Sequence, residues 1–98
     1  MNGESADAIQ RAADEIDGME YYGVTLFVKD VDADEERIEV SFHKDRSTRH
    51  VDSTSLYYGT SYYEDSEKWR CVMNDNYAVT DKALETLESA TGRTEVPA

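Results

Sequence analysis

The middle of this chain is a succession of period-two alternations, and that pattern limits the fold more than any other feature. Residues 37–43 place Ile38, Val40 and Phe42 on one side and polar side chains on the other. Residues 20–30 alternate in the same way. Because successive side chains of a β-strand point to opposite faces, each stretch predicts a strand with one buried face. The short acidic link between them predicts an antiparallel hairpin.

Two further strands and two helices are predicted around this hairpin. Residues 51–63 and 68–73 are rich in β-branched and aromatic side chains, which favour strands. Residues 5–17 and 81–91 instead repeat their apolar side chains at helical spacing. Thr80 stands immediately before the second helical stretch and is a good residue type for its N-cap.

The order of these elements predicts an α+β fold. We expect a mainly antiparallel sheet of about four strands, flanked by an N-terminal and a C-terminal helix. The 98 residues are interpreted as one domain over 1–98. Within it we expect a helix over 5–17, the sheet over 20–74, a helix over 81–91 and a loose tail over 92–98.

The chain carries 22 acidic residues against 10 Lys and Arg, for a formal net charge of -12. Self-repulsion at this charge destabilises a compact state, but molar salt reduces the screening length to about 3 Å. Asp14, Glu15 and Asp17 also crowd the end of the first predicted helix, where negative charge is unfavourable. These features favour a halophilic-type protein, and the profile of four Lys and eleven Asp resembles the overall composition of the proteins of haloarchaea and their viruses. The alternative is an ordinary acidic protein with a basic partner.

The sequence also indicates where in the cell this protein is expected. Cys71 is the one cysteine, so no internal disulfide is predicted. The N-terminal stretch is polar and acidic and does not have the pattern of a signal peptide. No apolar run approaches the roughly 20 residues of a membrane span. We therefore expect a cytoplasmic or virion-associated protein without membrane attachment.

The acidic link between the first two predicted strands begins like the calcium loop of an EF-hand, with aspartates at Asp30, Asp32 and Asp34. The match then fails, because Glu35 stands where glycine is needed and Ser41 where a bidentate glutamate closes the site. The sequence predicts a solvated hairpin loop, with weak cation binding as the alternative. No specific metal site and no cofactor are predicted.

The basic stretch, residues 43–50, is the first candidate binding site. On so acidic a body, local positive charge favours contact with an anion or a phosphate. The alternative is a polar link between two strands. Two histidines alone do not supply the four ligands of a structural zinc site. The candidate residues of the stretch are His43, Lys44, Arg46, Arg49 and His50.

The tyrosines of the later strands form the second candidate site. Tyrosine and tryptophan are frequent anchors of protein interfaces. Adjacent residues of a strand face opposite ways, so these side chains cannot all lie in one core. The alternative is that they cover a two-faced sheet whose helices shield one side only. The candidate residues are Tyr57, Tyr58, Tyr62, Tyr63 and Trp69.

Motifs of catalysis are missing from the sequence. There is no Gly-rich phosphate loop, nucleophile elbow or metal-binding helix motif, so we expect a non-catalytic protein. The predicted function is protein–protein interaction, as a structural subunit or adaptor that binds a protein partner or self-associates. The alternative is a small nucleic-acid-binding transcriptional regulator that uses the basic stretch, although molar salt weakens phosphate contacts.

Overall fold

The computed structural model describes residues 3–44, 49–60, 62–63, 65–72 and 77–93, and it confirms the predicted α+β architecture. The five strands form one antiparallel sheet in the order β1-β2-β3-β4-β5. Each strand therefore pairs with its neighbour along the chain. The elements are α1 (Gly3–Ile16), β1 (Met19–Tyr21), β2 (Val24–Asp32), β3 (Arg37–Lys44), β4 (His50–Thr60), β5 (Glu67–Cys71) and α2 (Ala78–Thr91).

The sheet has one strand more than predicted, because the stretch 20–30 is not a single strand. Tyr22 and Gly23 have φ angles of 52° and 77°. Positive φ at two successive residues is what a type I′ hairpin turn requires. The chain therefore reverses at this pair, and Tyr21 of β1 lies opposite Val24 of β2. Tyr21 therefore shares a face with Val24, so the inward positions change from odd to even residues across the turn.

The core lies between the two helices and one face of the sheet. The predicted inward positions of β3 are confirmed, since the apolar side chains that alternate along this strand are buried. Each large apolar side chain buried here contributes about 1.5–3 kcal/mol to folding. The largest members are Ile9, Ile16, Leu26, Ile38, Val40, Phe42, Leu56, Trp69, Val79 and Leu87.

Helix α2 begins before the predicted position, and the predicted cap is wrong. Its N-cap is Tyr77, which makes no side-chain capping bond. Thr80 lies inside the helix, is fully buried, and its Oγ1 has no hydrogen-bond partner. The additional turn buries Val79 against the core, which favours the earlier start. The helix ends at Gly92, whose φ of 68° is left-handed and whose N–H donates to Glu88 O.

The sheet face opposite the helices is called the open face below. Its residues follow from the strand register, since cross-strand partners share a face. In the described ranges neither helix has the length and apolar character needed to cross a bilayer. Met73 and the predicted tail beyond Arg93 lie outside the described residues. The open face comprises Glu20, Thr25, Phe27, Asp30, Asp32, Arg37, Glu39, Ser41, His43, His50, Ser53, Ser55, Tyr57, Gly59, Lys68 and Arg70.

Candidate functional site

Two arginines and a tyrosine form a row across three strands of the open face. Arg37 of β3 lies opposite Tyr57 of β4, and Tyr57 lies opposite Arg70 of β5. Side chains directly opposite each other on neighbouring strands are close enough to interact. Asp32 of β2 extends the row at the Arg37 end. We call Arg37, Tyr57 and Arg70 the Arg–Tyr–Arg row.

Arg70 is held by a tyrosine of the neighbouring strand. Its guanidinium carbon lies 4.8 Å from the centroid of the Tyr57 ring, and its Nη2 donates a hydrogen bond to Tyr57 Oη. The ring in turn lies over Gly59, since a Cβ added there would be 3.0 Å from Tyr57 Cε2. Among the described residues, no carboxylate forms an ion pair with Arg70.

Arg37 has only a loose ionic contact. Its Nη2 lies 3.8 Å from Asp32 Oδ2, which is longer than a hydrogen bond. Its side chain is 41% exposed, while its Nε is buried without a partner. The Nε of Arg70 is buried and unpartnered as well. Both guanidinium groups thus keep a donor that no described group accepts.

An acidic pair lies two residues along the strands from this row. Asp30 of β2 and Glu39 of β3 are directly opposite each other. Like charges in this arrangement destabilise a strand pair. In the part of the chain that the structure describes, neither carboxylate forms an ion pair with a cation. We call Asp30 and Glu39 the acidic pair.

The two histidines of the basic stretch meet at one end of the open face. The His43 ring is 5.6 Å from the His50 ring and 5.0 Å from the Phe27 ring, centroid to centroid. His43 Nε2 lies 3.1 Å from Ser41 Oγ, and His50 Nε2 lies 2.7 Å from Ser53 Oγ. Over the described ranges, no three His, Cys, Asp or Glu side chains are grouped to hold a metal ion.

The cations of the basic stretch are only partly placed. Lys44 and Arg49 are both exposed, and the Lys44 N–H donates to the Arg49 carbonyl at 3.2 Å. These two residues therefore lie side by side where β3 leads into β4. Arg46 lies outside the described residues. The structure separates this end of the sheet from the Arg–Tyr–Arg row at the other end.

The five predicted aromatic residues do not form one surface. Tyr57 lies on the open face, whereas Tyr58 and Trp69 lie on the helix side, with ring centroids 5.7 Å apart. Trp69 is only 2% exposed, and its Nε1 donates to Thr91 Oγ1 at 3.0 Å. Trp69 therefore packs in the core and presents almost no surface to a partner.

The remaining two aromatic residues lie in the turn between β4 and β5. Tyr62 is 87% exposed and Tyr63 is 93% exposed, and their rings pack edge to face with centroids 5.4 Å apart. This turn is at the same end of the sheet as the Arg–Tyr–Arg row, because Tyr57 is near the end of β4. We call Tyr62 and Tyr63 the tyrosine tip.

Sequence reasoning did not single out Arg37 or Arg70. Alternation does place both arginines on the polar face of their strands, because their neighbours Ile38 and Trp69 lie on the apolar face. Alternation within one strand does not show how neighbouring strands are aligned. It is this cross-strand register that brings both arginines opposite Tyr57. The available signal was the scarcity of basic residues, since each of the ten is exceptional on this chain.

Comparisons of this chain with protein-family models, with curated proteins and with solved structures found no match. A small α+β architecture by itself supports many functions. The function is therefore argued from the chemistry of the open face and the tyrosine tip.

Proposed function

We propose that this protein is a non-catalytic interaction module. It acts as a structural subunit or adaptor that binds a protein partner through the open face and the tyrosine tip. The observation that carries this proposal is the Arg–Tyr–Arg row. On a chain with 22 acidic residues, Arg70 is held by a tyrosine and forms no ion pair with a described carboxylate. Tyrosine and arginine are the residue types that dominate the hot spots of protein interfaces.

The energetics of Arg70 favour a partner. An exposed cation–π contact is worth about 0.5–1 kcal/mol. Hydrogen bonds to a charged group are worth about 1.5–3 kcal/mol. Tyr57 Oη accepts one hydrogen bond from Arg70, so the other donors of this planar guanidinium suit bidentate contact with a carboxylate of another protein. The Tyr57 ring holds the guanidinium in place beforehand, which lowers the entropy lost on binding.

The tyrosine tip supports the same function. Two neighbouring tyrosines with nearly all of their surface exposed offer a large contact area at little conformational cost, since each has only two side-chain torsions. Burial of one such ring against a partner contributes about 1.5–3 kcal/mol. The tip and the row together give adjacent anchors at one end of the sheet.

A catalytic reading of the open face finds weaker support. Ser41 Oγ and His43 Nε2 are at hydrogen-bonding distance, as in a nucleophile and its base. A third group should then orient the imidazole, but His43 Nδ1 is buried without a hydrogen-bond partner. Ser41 is also only 6% exposed, which leaves a substrate little access. These features fit a packed polar surface better than an active site.

The proposal includes a molar-salt setting, as in haloarchaea and their viruses. It is supported by the exposure of Asp14, Glu15 and Asp17 at the end of α1, where the helix dipole disfavours negative charge. Screening by salt reduces this penalty. A protein partner also suits such a setting better than a nucleic acid, because phosphate contacts weaken steeply as salt rises.

Photo-crosslinking tests this function. A photoreactive phenylalanine analogue would replace Phe27 on the open face or Tyr62 in the tip, in host cells or their extract at molar salt. We expect protein adducts at both positions. The control is the same analogue at Glu85, which is exposed on α2 in the helix layer. Adducts with nucleic acid, equal adducts at Glu85, or no adducts would each contradict the proposal.

A further inference from the structure

We propose that the open face binds a second copy of this chain, so that two copies stack sheet against sheet about a two-fold axis running roughly along the strands. This inference rests on the proposed function and names the partner. It starts from two groups of charges on one face that each lack a counterpart. Arg70 has no carboxylate, and the acidic pair has no cation, within the described part of the chain.

The charges of the open face are divided by position across the sheet. Strands β2 and β3 bring three carboxylates to this face, and at most two cations if Lys29 at the bulge of β2 is included. Strand β5 brings two cations and no carboxylate. The residues concerned are Asp30, Asp32, Glu39, Lys29 and Arg37 on the acidic side, and Lys68 and Arg70 on the basic side.

The unmatched charges do not meet within one molecule. Glu39 on β3 and Arg70 on β5 are separated by β4, which places their strands roughly 10 Å apart. The row that contains Arg70 is also offset from the acidic pair by two residues along β3. A second molecule is therefore needed to pair them.

Symmetry decides which arrangement pairs opposite charges. A two-fold axis along the strands reverses the strand order, so β5 of one copy faces β2 and β3 of the other. Because this axis keeps positions along the strands, Arg70 lies over the acidic side of the second copy, level with its Asp32–Arg37 pair and two residues from the acidic pair, a diagonal distance that a long side chain can span. The same contact recurs because a two-fold interface is isologous. An axis across the strands would instead place β5 and its two cations, Lys68 and Arg70, against β5 of the other copy. That second arrangement is disfavoured by like charge.

Apolar side chains on the same face complete the interface. Phe27 is 37% exposed on β2, and Val72 is 59% exposed directly after Arg70 and Cys71. The Val72 N–H donates to Ser55 O at 3.0 Å, which extends the pairing of β5 with β4. Two sheets packed face to face lie about 10 Å apart, with interdigitated side chains. Phe27, Val72 and the Tyr57 ring can fill this space.

A second copy suits the face better than a partner of one charge sign. A nucleic acid or an acidic peptide would satisfy Arg70 but would repel the acidic pair. A basic peptide would satisfy the acidic pair but would repel Arg70. The partner must carry both signs in a reversed order, and a second copy does so by construction. Dimerisation also joins two bodies of charge -12, so it requires the screening that molar salt provides.

Analytical ultracentrifugation of charge-reversed variants tests the inference. In molar KCl, from micromolar to millimolar protein, we expect the wild type to be dimeric. Arg70→Glu should weaken the dimer by about tenfold or more, and so should the double variant Asp30→Lys with Glu39→Lys. An equimolar mixture of the two variants should restore a dimer, because opposite charges then face each other at both contacts.

The matched control is Arg11→Glu, which makes the same charge change at an exposed position of α1. It should leave the wild-type dimer intact. A monomeric wild type at millimolar concentration would overturn the inference, as would equal weakening by Arg11→Glu or a mixture that stays monomeric. If the wild type is monomeric but Phe27 and Tyr62 crosslink to another protein, this inference fails and the proposed function stands. If they yield no adduct either, both fail.

Discussion

At the scale of single residues, Gly59 determines where the Tyr57 ring lies. A Cβ at position 59 would be 3.0 Å from Tyr57 Cε2 and 3.6 Å from Arg70 Nη2. The glycine hydrogen leaves this space to the aromatic ring, which then covers the strand and supports the guanidinium of Arg70. One missing methyl group thus sets the geometry of the Arg–Tyr–Arg row.

This arrangement predicts that the effect of Gly59→Ala on the free energy of unfolding depends on the presence of the Tyr57 ring. Alanine at an unstrained backbone position stabilises a protein by about 0.4–1 kcal/mol. In the wild type we expect this gain to be cancelled or reversed, because the ring must move. In a Tyr57→Ala background the gain should appear. Urea unfolding of the two single variants and the double variant measures the coupling. Equal effects of Gly59→Ala in both backgrounds would disprove the contact.

At the scale of elements, the sequence predicted the local structure well and the backbone reversals poorly. The alternation in 37–43 reports the two faces of β3 directly, because it depends on side chains two residues apart. The turn at Tyr22 and Gly23 depends instead on the sign of φ, and tyrosine gives no warning of a positive φ. The alignment of Arg70 with Tyr57 depends on register, which no single strand contains.

The β1–β2 turn gives a prediction at this scale. Asparagine adopts positive φ more readily than tyrosine, and Asn-Gly is a preferred pair for type I′ turns. We therefore expect Tyr22→Asn to stabilise the protein by about 0.5–1 kcal/mol. Gly23→Ala should destabilise it by about 1–2 kcal/mol, since φ is 77° there. Urea unfolding in molar salt measures both, and effects of the same sign would contradict this turn geometry.

At the scale of the whole molecule, the charge of -12 governs how stability depends on salt. Repulsion among exposed carboxylates weakens as salt shortens the screening length. We expect the melting temperature to rise clearly between low and molar KCl. The variant Glu15→Gln with Glu85→Gln removes one exposed acid from each helix, and its melting temperature should depend less on salt. Wild-type melting that does not respond to salt would remove the argument for a molar-salt setting.

The position of β4 inside the sheet has a consequence for how copies can associate. The tyrosine-bearing part of β4, at Leu56 and Tyr57, is paired with β3 on one side and with β5 on the other, so its backbone there cannot template the addition of a foreign strand. The two edges of the sheet are β1 and β5, which have three and five residues. Edges this short discourage open-ended growth into filaments, whereas pairing of faces about a two-fold axis closes after two copies. The fold therefore allows two copies to associate through their faces while it disfavours the growth of filaments through strand edges.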